Sequence, residues 1–194
     1  MDPHVVKITA VCSESPGAVE PSHGFGVLID DAVLFDSCSR EAMDAFLKAS
    51  GARPVVGVVG MPDSPHHVGG FELLRVPLVN PPHDLELRVR GRRYLLFKGR
   101  RENFMVVDGV VVSPCGLSTV PYGEMSRRGV KARCFVGGLG GTSQSPYLLH
   151  RVVAELRLLG VRCVAPLHTA PQLVKELERR FNVYRLGAGL SLEL

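Results

Sequence analysis

A chain of 194 residues is the length of one ordinary domain, long enough to bury a core without metal or disulfide staples. Its 45% hydrophobic and 22% charged residues exclude a disordered chain, and a formal net charge of +4 is too small to call for nucleic acid by itself. Apolar stretches such as residues 55–61 are strand-sized and exclude a membrane span, while the N-terminus has no basic region leading into an apolar run, so the expected location is the cytoplasm.

In chain order, residues 5–11 alternate loosely and predict a strand, broken by Ser13-Glu14-Ser15-Pro16-Gly17. Residues 25–29 and 32–35 are two apolar runs joined by Asp30-Asp31, a two-residue hairpin signal. Ser39 is placed to cap a helix whose apolar positions Ala42, Met43, Phe46 and Leu47 fall at helical spacing. Residues 55–59 are apolar on both faces, as a buried strand requires, and run into a loop with Pro62, Ser64, His66, His67, Gly69 and Gly70. Strands are expected over 85–89, 93–97, 104–107 and 110–112, the last ending at Ser113-Pro114-Cys115-Gly116. Residues 134–136 lead into the glycine loop 137–141. Ser145 with Pro146 opens the clearest helix, which Gly160 ends. Residues 161–165 form a strand leaving through Pro166-Leu167-His168. Thr169 is expected to cap a helix carrying Leu173, Val174, Leu177 and Phe181, and residues 190–194 close the chain as a strand. No linker or repeat divides residues 1–194, so a single domain is expected.

The order of these pieces resembles the metallo-β-lactamase-like superfamily over nearly the whole chain, and within it the archaeal dihydropterin synthase-like branch. The carriers are His23-Gly24-Phe25-Gly26-Val27-Leu28-Ile29 with Val33-Leu34-Phe35-Asp36, the loop ending in Gly69-Gly70, the turn Ser113-Pro114-Cys115-Gly116, the run Val136-Gly137-Gly138-Leu139-Gly140, Ala165-Pro166-Leu167-His168-Thr169, and Gly187-Ala188-Gly189. The resemblance implies an α/β sandwich of two mixed β-sheets flanked by helices, with a site where the loops at 62–67, 114–116, 138–141 and 166–169 converge.

The departures from the family pattern are as informative. Where the superfamily reads H-x-H-x-D-H-x-G-G, this chain has Pro62, Ser64, His66 and His67 at the four ligand positions; two further histidine positions are Pro114 and Gly140, and the final one is kept as His168. The first metal position is therefore lost, and the second becomes His66, His67 and His168. Three imidazoles suit one zinc or other transition metal with an open position for water, and Cys115 is a candidate fourth ligand that would close the site. Asp36 is expected to orient a loop or a histidine, and His23 to pack or hydrogen-bond rather than ligate. Two function classes follow. With most ligand positions replaced, the chemistry favours a degenerate, non-catalytic scaffold that binds a small molecule or a protein, with no metal at all as one outcome. The alternative is a mononuclear metal-dependent hydrolase using His66, His67 and His168.

Three other features have plain readings. Residues 137–141 lack the lysine of a phosphate-binding loop, so close backbone approach at a turn is expected there. Arg88, Arg90 and Arg92 would share one face of a strand and could attract nucleic acid, but a solvated strand edge is the commoner use of such charge. Five cysteines without a C-x-x-C pair argue against a disulfide framework, so Cys12, Cys38, Cys115, Cys134 and Cys163 are expected mostly as small buried hydrophobes.

Overall fold

The computed structural model describes residues 5–116, 122–139 and 146–194. Within them, Lys7–Ala10 (β1), Val27–Ile29 (β2), Val33–Phe35 (β3), Val56–Val58 (β4), Leu78–Val79 (β5) and Ser191–Glu193 (β13) form one mixed sheet in the order β13-β1-β2-β3-β4-β5. A second mixed sheet, in the order β12-β11-β10-β9-β8-β7-β6, contains Leu85–Val89 (β6), Arg92–Lys98 (β7), Asn103–Val107 (β8), Val110–Ser113 (β9), Cys134–Gly137 (β10), Cys163–Pro166 (β11) and Asn182–Val183 (β12). In the first sheet β13, β1, β2 and β3 pair antiparallel and β3, β4 and β5 parallel; in the second β6 to β9 pair antiparallel and β9 to β12 parallel.

Period-2 alternation sorts the side chains into layers. Val33 and Phe35 of β3 face the other sheet and pack with Tyr94, Met105, Val110, Val112 and Val136. Leu34, between them, faces outward to Ala42, Met43 and Phe46 of the helix Arg40–Ser50 (α1). On the far side Phe104, Val106, Val111, Phe135 and Val164 meet Tyr122–Arg127 (α3), Pro146–Leu159 (α4) and Pro171–Glu178 (α5). The result is a four-layer sandwich: helix, two sheets, helices.

Local signals in the sequence account for the element ends. Asp30 and Asp31 both take positive φ, as a primed hairpin turn requires. Ser39 caps α1 by accepting from the Ala42 amide, and Gly51 closes it with φ 63°. Four strands of the second sheet, β6 to β9, begin and end within a residue or so of their expected bounds.

Other expectations need correction. Thr169 does not cap α5, whose cap residue is Ala170; its hydroxyl instead accepts from the Leu139 amide and bonds the Leu167 carbonyl, tying two site loops together. Arg88, Arg90 and Arg92 do not share a face, because Arg90 and Gly91 form the tight turn between β6 and β7. Arg88 and Arg93 both pair with Glu86, and Arg92 with Asp30 and Asp108, so this stretch is largely neutralised by carboxylates. The cysteines, too, are mostly bonded: Cys12 to Cys38, and Cys134 to Cys163. Sequence separations of 26 and 29 gave no sign of this; strand packing brings the partners together, Cys134 and Cys163 standing opposite each other on β10 and β11. Among the described residues only Cys115 is free. The expected Ser145 cap and the Gly140 position lie outside the described residues. No helix among the described residues is long and apolar enough to cross a membrane.

Candidate metal centre

The parallel strands β3 and β4 end beside the ends of β9, β10 and β11, and the loops that leave them meet, as ligand-binding loops do in α/β sheets. The loop after β4 does not stay irregular. Pro65 starts a single helical turn, Pro65–Val68 (α2), that carries His66 and His67 and passes into a 3-10 turn at Gly69–Leu73. His168 stands just after β11 with φ 50°. All three histidines expected at the site come together: ring centroids are 4.9 Å apart for His66 and His67, 5.3 Å for His67 and His168, and 5.5 Å for His66 and His168.

His67 is fully buried, and its anchor is Asp36, which follows β3 and is fully buried as well. Nδ1–H of His67 donates to Oδ2 of Asp36 at 2.9 Å, while Oδ1 accepts from the amides of Gly60 and Met61 at 2.7 and 3.3 Å. Asp36 thus orients both a histidine and the start of the 60–67 loop. Burial pushes its carboxyl above the usual carboxylate range, against the bonds from His67 and the two amides. In the neutral ring that donates from Nδ1, Nε2 of His67 is the atom with the lone pair; it is buried and has no hydrogen-bond partner among the described residues.

Cys115 is buried on the facing loop, where its own amide and that of Gly116 donate to Oε2 of the buried Glu102, at 3.1 and 3.0 Å. Burial, with the Glu102 and Asp36 charges, pushes its thiol up to about 12. A ligand atom from each of His67, Cys115 and His168 falls within 4.8 Å of the others. So does one from each of His23, His66 and His168. His168 belongs to both groups. Burial and its three imidazole neighbours push His168 down to about 3, and burial with His67 and His23 also lowers His66.

In the described part of the glycine loop, Gly137 and Gly138 make a close backbone approach. Gly137 has φ 129°, and a Cβ there would lie 1.9 Å from the Ser113 carbonyl oxygen, so the turn after β10 can press against the turn after β9 only with glycine. Ser64 is buried with its hydroxyl 3.1 Å from Nδ1 of His66, supporting that ring from a position where the resemblance has a ligand. Sequence reasoning missed Glu102, which follows Arg100 and Arg101 and looks like a surface carboxylate. His23 hydrogen-bonds to Glu14, as expected, and its ring lies against those of His66 and His168.

Comparison with solved structures agrees with this architecture. Tm1679, a metal-dependent hydrolase of the β-lactamase superfamily, superposes with a TM-score of 0.77 over 97% of this chain and 99% of its own, at 19% identity. The chain has the metallo-β-lactamase fold. YhfI from Bacillus subtilis, a metallo-β-lactamase fold protein, gives 0.73 at 11% identity over 98% and 100% of the two chains. Zinc-bound PqqB from Methylobacterium extorquens gives 0.62 at 12% identity over 97% and 100%. No family model matches the chain, and no curated protein does. Likeness at these identities is likeness of fold, and it does not single out the dihydropterin synthase-like branch.

Proposed function

We propose that the chain is a single-metal hydrolase, holding one transition-metal ion between His67, His168 and Cys115 with His66 at the rim. The observation that carries this is Nε2 of His67. A buried polar atom without a partner costs about 1–3 kcal/mol, and a cation on its lone pair offsets that cost. The Asp36–His67 pair has the form of the carboxylate–histidine support usual behind metal ligands. Imidazole nitrogen and thiol sulfur suit zinc, copper or nickel and not magnesium. Two of the fold neighbours above, one named a metal-dependent hydrolase and one zinc-bound, fit the same reading.

When bound, such an ion supplies Lewis acidity and lowers the pKa of an attached water toward ~7. The chain's own residues prepare the place. Asp36 fixes the His67 tautomer, Glu102 fixes the turn presenting Cys115, and the thiol must release its proton on ligation. A cleft of about 190 Å³ lined by Glu14, His168, Thr169, Lys175 and Arg185 opens beside the centre and admits a small molecule.

A second reading, the catalytically silent scaffold, is favoured by Ser64, which supports His66 where a ligand would stand in the resemblance. The test separates the two. Untagged protein loaded with zinc and dialysed should retain about one zinc per chain, and His168→Ala should lose it. Zero retained metal would remove the metal reading. One zinc without hydrolysis across a panel of activated esters and phosphodiesters would leave the scaffold.

A further inference from the structure

The cluster contains one more imidazole than the resemblance supplies. His23 comes from the loop between β1 and β2, and its ring centroid lies 4.5 Å from that of His168 and 4.9 Å from that of His66. The ligand atoms of these three residues lie within 4.8 Å of one another. Nitrogens around a tetrahedral ion stand about 3.4 Å apart, so modest ring rotations would close the group on one ion.

Two features prepare His23 for this. Glu14 Oε1 is 2.5 Å from its Nδ1, so in the neutral ring that donates from Nδ1 the ligand atom is Nε2. This repeats at the rim what Asp36 does for His67 inside. The loop is also pinned on both sides of His23. The Cys12–Cys38 bond anchors its start, the Ser22 amide donates to the Ser13 carbonyl at 2.9 Å, and the Phe25 amide donates to the His66 carbonyl at 3.2 Å. Gly24 has φ 134°, and a Cβ there would lie 2.5 Å from the His66 carbonyl oxygen, so glycine is required for the loop to lie against α2. A loop already held in place loses little entropy when its histidine ligates.

We propose that His23, backed by Glu14, is a metal ligand, forming with His66 and His168 an all-imidazole outer seat for a divalent transition-metal ion. This rests on reading the cluster as a metal centre and adds a second position to it. Both seats use His168, so one ion occupies one seat at a time. The outer seat borders the cleft that Glu14 and His168 line, so its open positions are reached from solvent.

Cobalt(II) titration of the full chain distinguishes the seats, because a thiolate ligand gives a near-ultraviolet charge-transfer band and imidazoles alone do not. Cys115→Ser should still bind one cobalt without that band, and His23→Ala added to it should weaken binding at least tenfold. His23→Ala alone should bind cobalt with the band strengthened, the ion having moved inward. The His23 side chain is 62% exposed, so its truncation should leave the circular dichroism spectrum unchanged. Equal cobalt affinity of Cys115→Ser with and without His23 overturns the outer seat. If Cys115→Ser and His67→Ala abolish binding while His23→Ala does not, the outer seat falls and the inner reading stands. Loss only on removing His23 supports the outer seat and removes the inner one. A wild-type chain that binds no cobalt removes both.

Discussion

Two carboxylate–histidine pairs flank the same His168, and they differ in almost everything except chemistry. Asp36 and His67 are fully buried at 2.9 Å; Glu14 and His23 are 50% and 62% exposed at 2.5 Å. Distance alone would rank the second pair stronger. Burial reverses that order, because water screens the outer pair and lets either partner find other bonds, whereas the inner pair has nowhere else to turn. The inner pair is therefore part of what holds the fold, and the outer pair only aims a ring.

The largest expected effect comes from the residue the two regions share. His168→Ala should remove metal binding from both seats, lowering affinity by at least a hundredfold; elemental analysis showing one ion per chain in that variant would break the comparison at its centre. Next comes stability. Asp36→Ala strips His67 Nδ1 and two backbone amides of their acceptor and should cost about 3–5 kcal/mol in urea unfolding. Glu14→Ala should stay within about 1 kcal/mol. Equal costs would mean that burial does not separate the pairs.

The pH dependence follows from His168. Burial and the neighbouring imidazoles push it down to about 3 in the folded chain, below the ordinary 6.5 of an unfolded one, so between those values the unfolded chain binds more protons than the folded one. This contribution to stability is fully present above pH 6.5 and is lost progressively as pH falls toward 3. His168→Gln should flatten that part of the apo protein's denaturation profile, and an unchanged profile would assign the dependence elsewhere. The smallest effect is expected at Ser64. Removing its hydroxyl frees the His66 ring without removing a ligand, so Ser64→Ala should weaken cobalt binding only a few-fold, and only where the outer seat is in use.

Much of the scaffold was legible because it is written locally. Ser39 and Gly51 delimit α1, Asp30-Asp31 turns the first hairpin, and the alternation in 85–89 with the apolar runs at 93–97, 104–107 and 110–112 is enough to place four strands. The short strands β5 and β12 were not legible, since two residues carry no period and owe their pairing to neighbours. The basic stretch misled for a related reason: Arg90 reads as strand until Gly91 beside it is recognised as a turn residue.

For the site, the sequence named His66, His67 and His168 through the resemblance of its motifs to the metallo-β-lactamase-like pattern, and in the structure the three rings lie together. Only the tertiary structure decided which nitrogens are available and what stands behind them. Asp36 claims Nδ1 of His67 across 31 residues, Glu102 secures the Cys115 turn, and His23 with Glu14 arrives from a loop whose course depends on Gly24 passing the His66 carbonyl. None of these pairings has a fixed spacing along the chain. A ligand's residue type is a property of one position, whereas its tautomer, its charge and its neighbours depend on burial and on strands that meet only after folding.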